Sequence, residues 1–166
     1  MGLSIHFHGT LRTFAALPQL REVLLRHGNA AEAELIDIDD EMGELGRYLN
    51  DALMDTSPPL KGFLLQFRPG CEPVFFVFGK DRRMACSCKT QFTTLDNHMR
   101  IVHLLEETAS LFEEFVVNDE GGYWGTHDEV ELLARRNRLA QAMEMVAGAL
   151  AHGKPKARPM ADHDLN

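Results

Sequence analysis

Leu60-Lys61-Gly62-Phe63-Leu64-Leu65-Gln66-Phe67, Pro73-Val74-Phe75-Phe76-Val77-Phe78 and Arg83-Met84-Ala85-Cys86-Ser87-Cys88 are three strand-like runs. Arg68-Pro69-Gly70 and Gly79-Lys80-Asp81 supply turn chemistry between them, so the stretch reads as an antiparallel meander. Pro73 has no N–H to offer a ladder and belongs at the start of its strand. Both faces of Val74–Phe78 are apolar. That pattern fits either a strand covered on two sides or a self-association surface.

Outward from the meander, Leu3–His8 alternates apolar and polar, the period of a half-buried strand whose other face carries Ser4, His6 and His8. Leu17, Leu20, Val23 and Leu24 repeat at helical spacing, with Pro18 in the first turn and Gly28 as a stop. Glu34–Ile38 suggests a further strand, with acids crowded at its end. A short helix over 42–53 is weakened by Gly43 and Gly46, and Ser57-Pro58-Pro59 ends it.

Beyond the meander, Leu95, Met99, Val102, Leu105, Ala109 and Phe112 form one stripe, which predicts a helix over 95–112 capped by Thr93 or Thr94. Glu114–Val117 reads as the last strand. Thr126-His127-Asp128-Glu129 fits a capping box. The final helix follows, with Val130, Leu133, Leu139, Met143, Val146 and Leu150 spaced for one buried face and Gly153 as its stop. The expected fold is α+β: an antiparallel sheet of about five or six strands, with two long C-terminal helices packed on one face. One domain covers 1–153. The polar segment 154–166, with Pro155 and Pro159, reads as a disordered tail.

A chain of 166 residues that is 45% hydrophobic can bury a sizeable core. No stretch approaches the ~18 apolar residues of a membrane span. No signal peptide or myristoylation pattern is visible at the N-terminus, so a cytoplasmic location is expected. Three cysteines, Cys71, Cys86 and Cys88, read as reduced thiols. The net charge of −8 argues against a nucleic-acid partner, whose phosphates call for Lys and Arg. It suits a basic protein partner, a metal ion, or solubility alone, which is the commonest case.

The stretch Asp119-Glu120-Gly121-Gly122-Tyr123-Trp124-Gly125-Thr126-His127-Asp128 is the most unusual in the chain. Gly-Gly allows positive φ or close approach. Tyr123 and Trp124 are of the types enriched at interface hot spots. Asp119, Glu120 and His127 offer acid/base groups or metal ligands. The same residues also make an ordinary strand-to-helix turn. Lys89 and Gln91, in Lys89-Thr90-Gln91-Phe92-Thr93-Thr94, could hold an anion at the following helix, although plain capping explains that junction better.

His6-x-His8 suits two metal ligands, and a third and fourth would have to come from Asp37, Asp39, His98 or His103. Cys86-x-Cys88 is poorly spaced for zinc and fits core packing, while a Cys86 or Cys88 nucleophile paired with His98 is the reactive alternative. Gly-x-Ser-x-Gly, Gly-x-Gly-x-x-Gly and His-Glu-x-x-His are missing, and no cofactor or bound metal is implied.

The start Met1-Gly2-Leu3-Ser4-Ile5-His6, the Gly70-Cys71-Glu72-Pro73 turn, Lys89-Thr90-Gln91-Phe92 and Asp119–Trp124 together resemble an uncharacterised family of small bacterial proteins. Members of that family carry an acidic residue before the Thr, whereas this chain has Gly125 before Thr126, so any role of that acid does not carry over. The resemblance brings no activity. It implies that the meander-to-helix junction and the Gly-Gly-Tyr-Trp loop belong to one shared design.

Two functions follow as expectations. The first is a non-enzymatic binding protein, of inhibitor or immunity type, that uses its acidic surface and the Tyr123/Trp124 loop and is able to form a homodimer. The second is a small hydrolase or metal-dependent enzyme built on Asp119, Glu120 and His127, with His6 and His8 as further candidates.

Overall fold

The computed structural model describes residues 3–41, 59–68 and 70–152. The expected helix over 42–53, Pro58, Pro69, Gly153 and the tail lie outside them. The chain runs β1 (Ser4–Leu11), α1 (Leu17–Asn29), β2 (Glu34–Asp40), β3 (Leu60–Gln66), β4 (Val74–Phe78), β5 (Arg83–Lys89), α2 (Leu95–Thr108), β6 (Phe112–Asp119) and α3 (Glu129–His152). Single 3-10 turns precede α1 and β6.

The six strands among the described residues form two antiparallel sheets of three rather than one, in the orders β5-β1-β6 and β2-β3-β4. The meander is therefore cut at its second turn. β4 pairs with β3, placing Phe63 opposite Phe76, whereas β5 pairs with β1, placing Phe7 opposite Cys86. β3 and β4 approach very closely at Gly62, where φ is +151° and a Cβ would sit 1.8 Å from the Phe76 carbonyl oxygen. On the other side of β4, the Phe75 N–H meets the Cys86 thiol at 3.4 Å instead of a ladder carbonyl. Turn chemistry marks where a chain reverses, but not whether the next strand continues the same ladder.

Both sheets feed one core. Ile5 and Phe7, Phe63 and Leu65, Phe76 and Phe78, Leu20 and Leu24, and Ile101 and Leu105 all belong to a single buried cluster. Each contributes about 1.5–3 kcal/mol by leaving water. α1 packs on β2, β3 and α2. Val74, Phe76, Val77 and Phe78 are buried and Phe75 partly so, so the doubly apolar strand is largely covered on two sides within the chain. Ser4, His6 and His8 lie on the opposite face of β1, as its alternation predicts.

α2 is capped by Thr94, whose hydroxyl accepts from the Asn97 N–H at 3.1 Å. It ends at Thr108, and Phe112 opens β6 instead of closing the helix. The largest difference from expectation is α3. Only Leu132 is fully buried and Leu139 partly so, while Val130, Val146 and Leu150 are 78%, 60% and 72% exposed. Arg135 donates to the Glu120 carbonyl at 3.2 Å and Arg136 to that of Thr93, fixing the first turns. Every residue from 140 to 150 is exposed. The two-helix layer is thus replaced by α1 and α2, with α3 docked by one end. Helical spacing shows that an apolar face exists; it does not show what covers it.

Candidate functional site

The Asp119–Asp128 loop folds around the Asp119 carboxylate. Oδ1 accepts from the Gly121 N–H at 2.7 Å, and Oδ2 accepts from the N–H groups of Tyr123 at 2.7 Å and Trp124 at 3.0 Å. This nest explains the Gly-Gly pair. Gly122 takes φ +75°, and a Cβ on Gly121 would lie 2.6 Å from Leu132 and 2.7 Å from His98 Nε2.

His98 projects from α2 beneath the loop. Its Nδ1 lies 2.8 Å from the Thr90 hydroxyl, which is also 3.2 Å from the Leu3 carbonyl. Its Nε2 lies 3.1 Å from Asp119 Oδ1, with both side chains only 1% exposed. Nε2 makes no other polar contact, so Asp119 is the group that faces it in the buried interior. Burial alone would raise the Asp119 pKa. The facing His98 and the Trp124 and Gly121 N–H groups outweigh it and hold the carboxyl below its usual range. The Thr90–His98–Asp119 cluster joins β1, the β5–α2 junction, α2 and the loop, and it is sealed from any substrate.

A second cluster lies further along α2. His103 Nδ1 is 3.1 Å from Glu106 Oε2, and His127 Nε2 is 2.6 Å from Glu106 Oε1. The imidazole rings are 5.4 Å apart. His103 and Glu106 share a helix face at i,i+3 spacing. His127 comes from the loop, its N–H held by the Tyr123 carbonyl at 2.9 Å and its φ at +53°, a conformation L residues avoid. Tyr123 is 4% exposed, and its hydroxyl reaches His103 Nε2 at 3.4 Å. Burial, then the nearby Glu129 and Glu106, push the Tyr123 phenol up, so it keeps its proton. Beside His103 and Tyr123 opens a cavity of about 240 Å³, whose lining includes Asp96, Arg100 and Glu129.

The other sequence candidates go elsewhere. Glu120 accepts from the Ser4 N–H at 2.8 Å and lies 3.8 Å from His6 Nε2, on the exposed face of β1. Asp119, Glu120 and His127 therefore have separate partners and do not form one catalytic set. Trp124 is half-buried against the core, so the aromatic pair is not presented as an exposed anchor. The Lys89 N–H donates to Glu72 Oε2 at 2.9 Å, and the Gln91 side-chain oxygen accepts from the Leu3 N–H at 3.3 Å; both hold the chain to itself. The helix cap at α3 is Asp128 rather than Thr126, since the Glu131 N–H reaches Asp128 Oδ1 at 2.9 Å.

The cysteine alternative also dissolves. Cys71 and Cys88 sit 3.5 Å apart, and all three thiols are buried. Burial pushes the Cys86 thiol up to about 12, and the bond with Cys71 together with burial raises Cys88, so neither supplies a thiolate nucleophile. His98 is committed to Thr90 and Asp119. Glu106 was not singled out by the sequence reading, although its i,i+3 spacing from His103 is the signal that could have found it.

The four motifs noted in the sequence meet in one node. Glu72 bonds the Lys89 backbone, Gln91 bonds Leu3, Thr90 touches the His98 that faces Asp119, and Glu120 bonds Ser4. Comparison with family models, with curated proteins and with solved structures found no match.

Proposed function

We propose that the chain is a non-enzymatic interaction protein whose working form is a homodimer joined through α3. The observation that carries this reading is the exposed end of that helix. α3 has 24 residues and is about 36 Å long at 1.5 Å per residue. Leu139, Met143, Val146 and Leu150 follow the alternating four- and three-residue steps of a coiled-coil seam. The positions flanking the seam, 140, 142, 147 and 149, are all Ala, which permits close approach of a second helix.

The stripe is also symmetric about the midpoint between Glu144 and Met145. Reversing the helix places Leu139 on Leu150, Ala140 on Ala149, Ala142 on Ala147 and Met143 on Val146. A two-fold interface needs this kind of self-complementarity, because residue i meets j while j meets i. An antiparallel pair of α3 helices satisfies it, whereas an unrelated partner has no reason to select it. The seam spans about two heptads, which suits micromolar rather than nanomolar association.

Asp119 and Glu120, two of the three catalytic groups foreseen in the loop, bond within the fold and do not meet His127, which favours binding over chemistry. The net charge of −8 then makes a basic protein the natural target of the dimer. Sedimentation equilibrium tests the reading. Wild-type protein is expected as a concentration-dependent dimer, and Val146→Glu as a folded monomer whose melting temperature no longer rises with protein concentration. A wild-type monomer at the highest soluble concentration would overturn it.

A further inference from the structure

We infer that His103, Glu106 and His127 form a site for one divalent transition-metal ion of borderline softness, of which Zn²⁺, Co²⁺ and Ni²⁺ are representatives. One ligand atom from each of the three residues lies within 4.8 Å of the others, and they are the one such group of three among the described residues. Ligands at about 2.0–2.2 Å from a tetrahedral ion are roughly 3.3 Å apart. The two carboxylate-to-imidazole separations, 3.1 and 2.6 Å, both fall short of that spacing, so the ligands need only part slightly to admit an ion. Only rotation of exposed side chains separates the present geometry from a coordinating one, since His103, Glu106 and His127 are 47%, 31% and 51% exposed.

Three features go beyond an ordinary surface network. First, the donors come from two elements and converge from opposite sides, two from one face of α2 and one from the loop. Second, His103 already has an outer partner. The Tyr123 hydroxyl lies 3.4 Å from Nε2, which leaves Nδ1 as the inward donor, the division of labour seen when the far nitrogen of a ligating imidazole is fixed by a hydrogen bond. Third, His127 is held at φ +53°, a strained conformation that directs its ring at Glu106 and that a glycine would adopt more easily.

The donor set decides the class of ion. Two imidazole nitrogens and one carboxylate suit zinc, cobalt, nickel or copper, whereas calcium and magnesium call for oxygen throughout. Three protein ligands leave at least one coordination position open to solvent or a further ligand. An ion here would tie α2 to the Asp119–Asp128 loop. The inference does not depend on the dimer, because α3 supplies no ligand.

The test uses untagged, chelator-treated full-length protein. Calorimetric titration with Zn²⁺ and the visible absorption of Co²⁺ are expected to give one ion per chain and a raised melting temperature. His103→Ala and His127→Ala are expected to weaken binding at least about tenfold and to abolish the thermal shift, while their metal-free melting temperatures stay near wild type. The double variant His6→Ala/His8→Ala controls for the β1 histidines and is expected to bind normally. No binding, binding unchanged in the His103 and His127 variants, or binding lost only in the β1 variant would each overturn the assignment.

Discussion

α2 carries two histidines five residues apart, and the loop after β6 reaches both of them. At His98 the loop contributes Asp119, and at His103 it contributes His127 beside Glu106. Residue types and supporting elements are nearly the same, but exposure differs from 1% to about half. In the inner cluster the carboxylate oxygens are saturated by three backbone N–H groups, so the chemistry is spent on holding four segments together. In the outer cluster the imidazoles and carboxylate mainly satisfy one another and can exchange those bonds for a ligand. Histidine and carboxylate mean architecture when sealed and saturated, and binding capacity when open.

The sharpest way to break this contrast is to remove the inner anion. Asp119→Ala orphans three N–H groups and the facing side of His98, and is expected to cost about 3–5 kcal/mol, measured by urea unfolding at pH 7. The pH dependence carries its own sign. The folded-state pKa of Asp119 is lowered, so its contribution is complete above the unfolded value of about 3.9 and is lost as pH falls through the lower folded value. The gap between wild type and Asp119→Asn should therefore narrow as the pH drops below about 4. Glu107, held at about 2 by Arg26 and His27, is present in both proteins and cancels in the difference. A gap that stays constant through the acid range would remove the ionic part of the argument.

How much of this was legible beforehand follows from what sequence patterns encode. All six strands among the described residues and part of the buried face of α2, Val102 and Leu105, were visible, because alternation and helical spacing report which side of an element leaves water. The division into two sheets was not, since it turns on Gly62 meeting the Phe76 backbone, a contact across strands. Asp119, Tyr123 and Trp124 were noticed for their chemistry, with a structural turn as the alternative, and the sequence did not choose between the two. A carboxylate that accepts three N–H groups from the residues just after it looks, in sequence, the same as a free one. His98 and His103 could be named as candidates only because they are histidines. Which of them is sealed depends on the loop folding back over α2.

A smaller perturbation probes the seal instead of the charge. Gly121→Ala places a methyl against Leu132 and His98 Nε2 while leaving every hydrogen-bonding group in the chain. Overpacking of this kind costs about 1–3 kcal/mol. The expected outcome is a loss near 2 kcal/mol, with faster hydrogen exchange at the Tyr123 and Trp124 N–H groups that point at Asp119. Unchanged protection of those amides would mean that the loop does not need His98 in place.

The smallest effect belongs to the outer cluster, and it separates the two regions most cleanly. His127→Gly deletes the 2.6 Å contact with Glu106, which an exposed pair values at roughly 0–1 kcal/mol. It also relieves the φ of +53°, a conformation that costs an L residue about 1 kcal/mol or more. Glycine returns part of that gain through the extra freedom of the unfolded chain, by about 0.4–1 kcal/mol. The terms oppose one another and are of similar size, so metal-free stability should move by less than about 0.5 kcal/mol. His127→Ala keeps the strain and loses the contact, and should be the less stable of the two variants. If glycine were instead destabilising by as much as the inner substitutions, His127 would be part of the architecture too, and the contrast between the sealed and open histidines would fail.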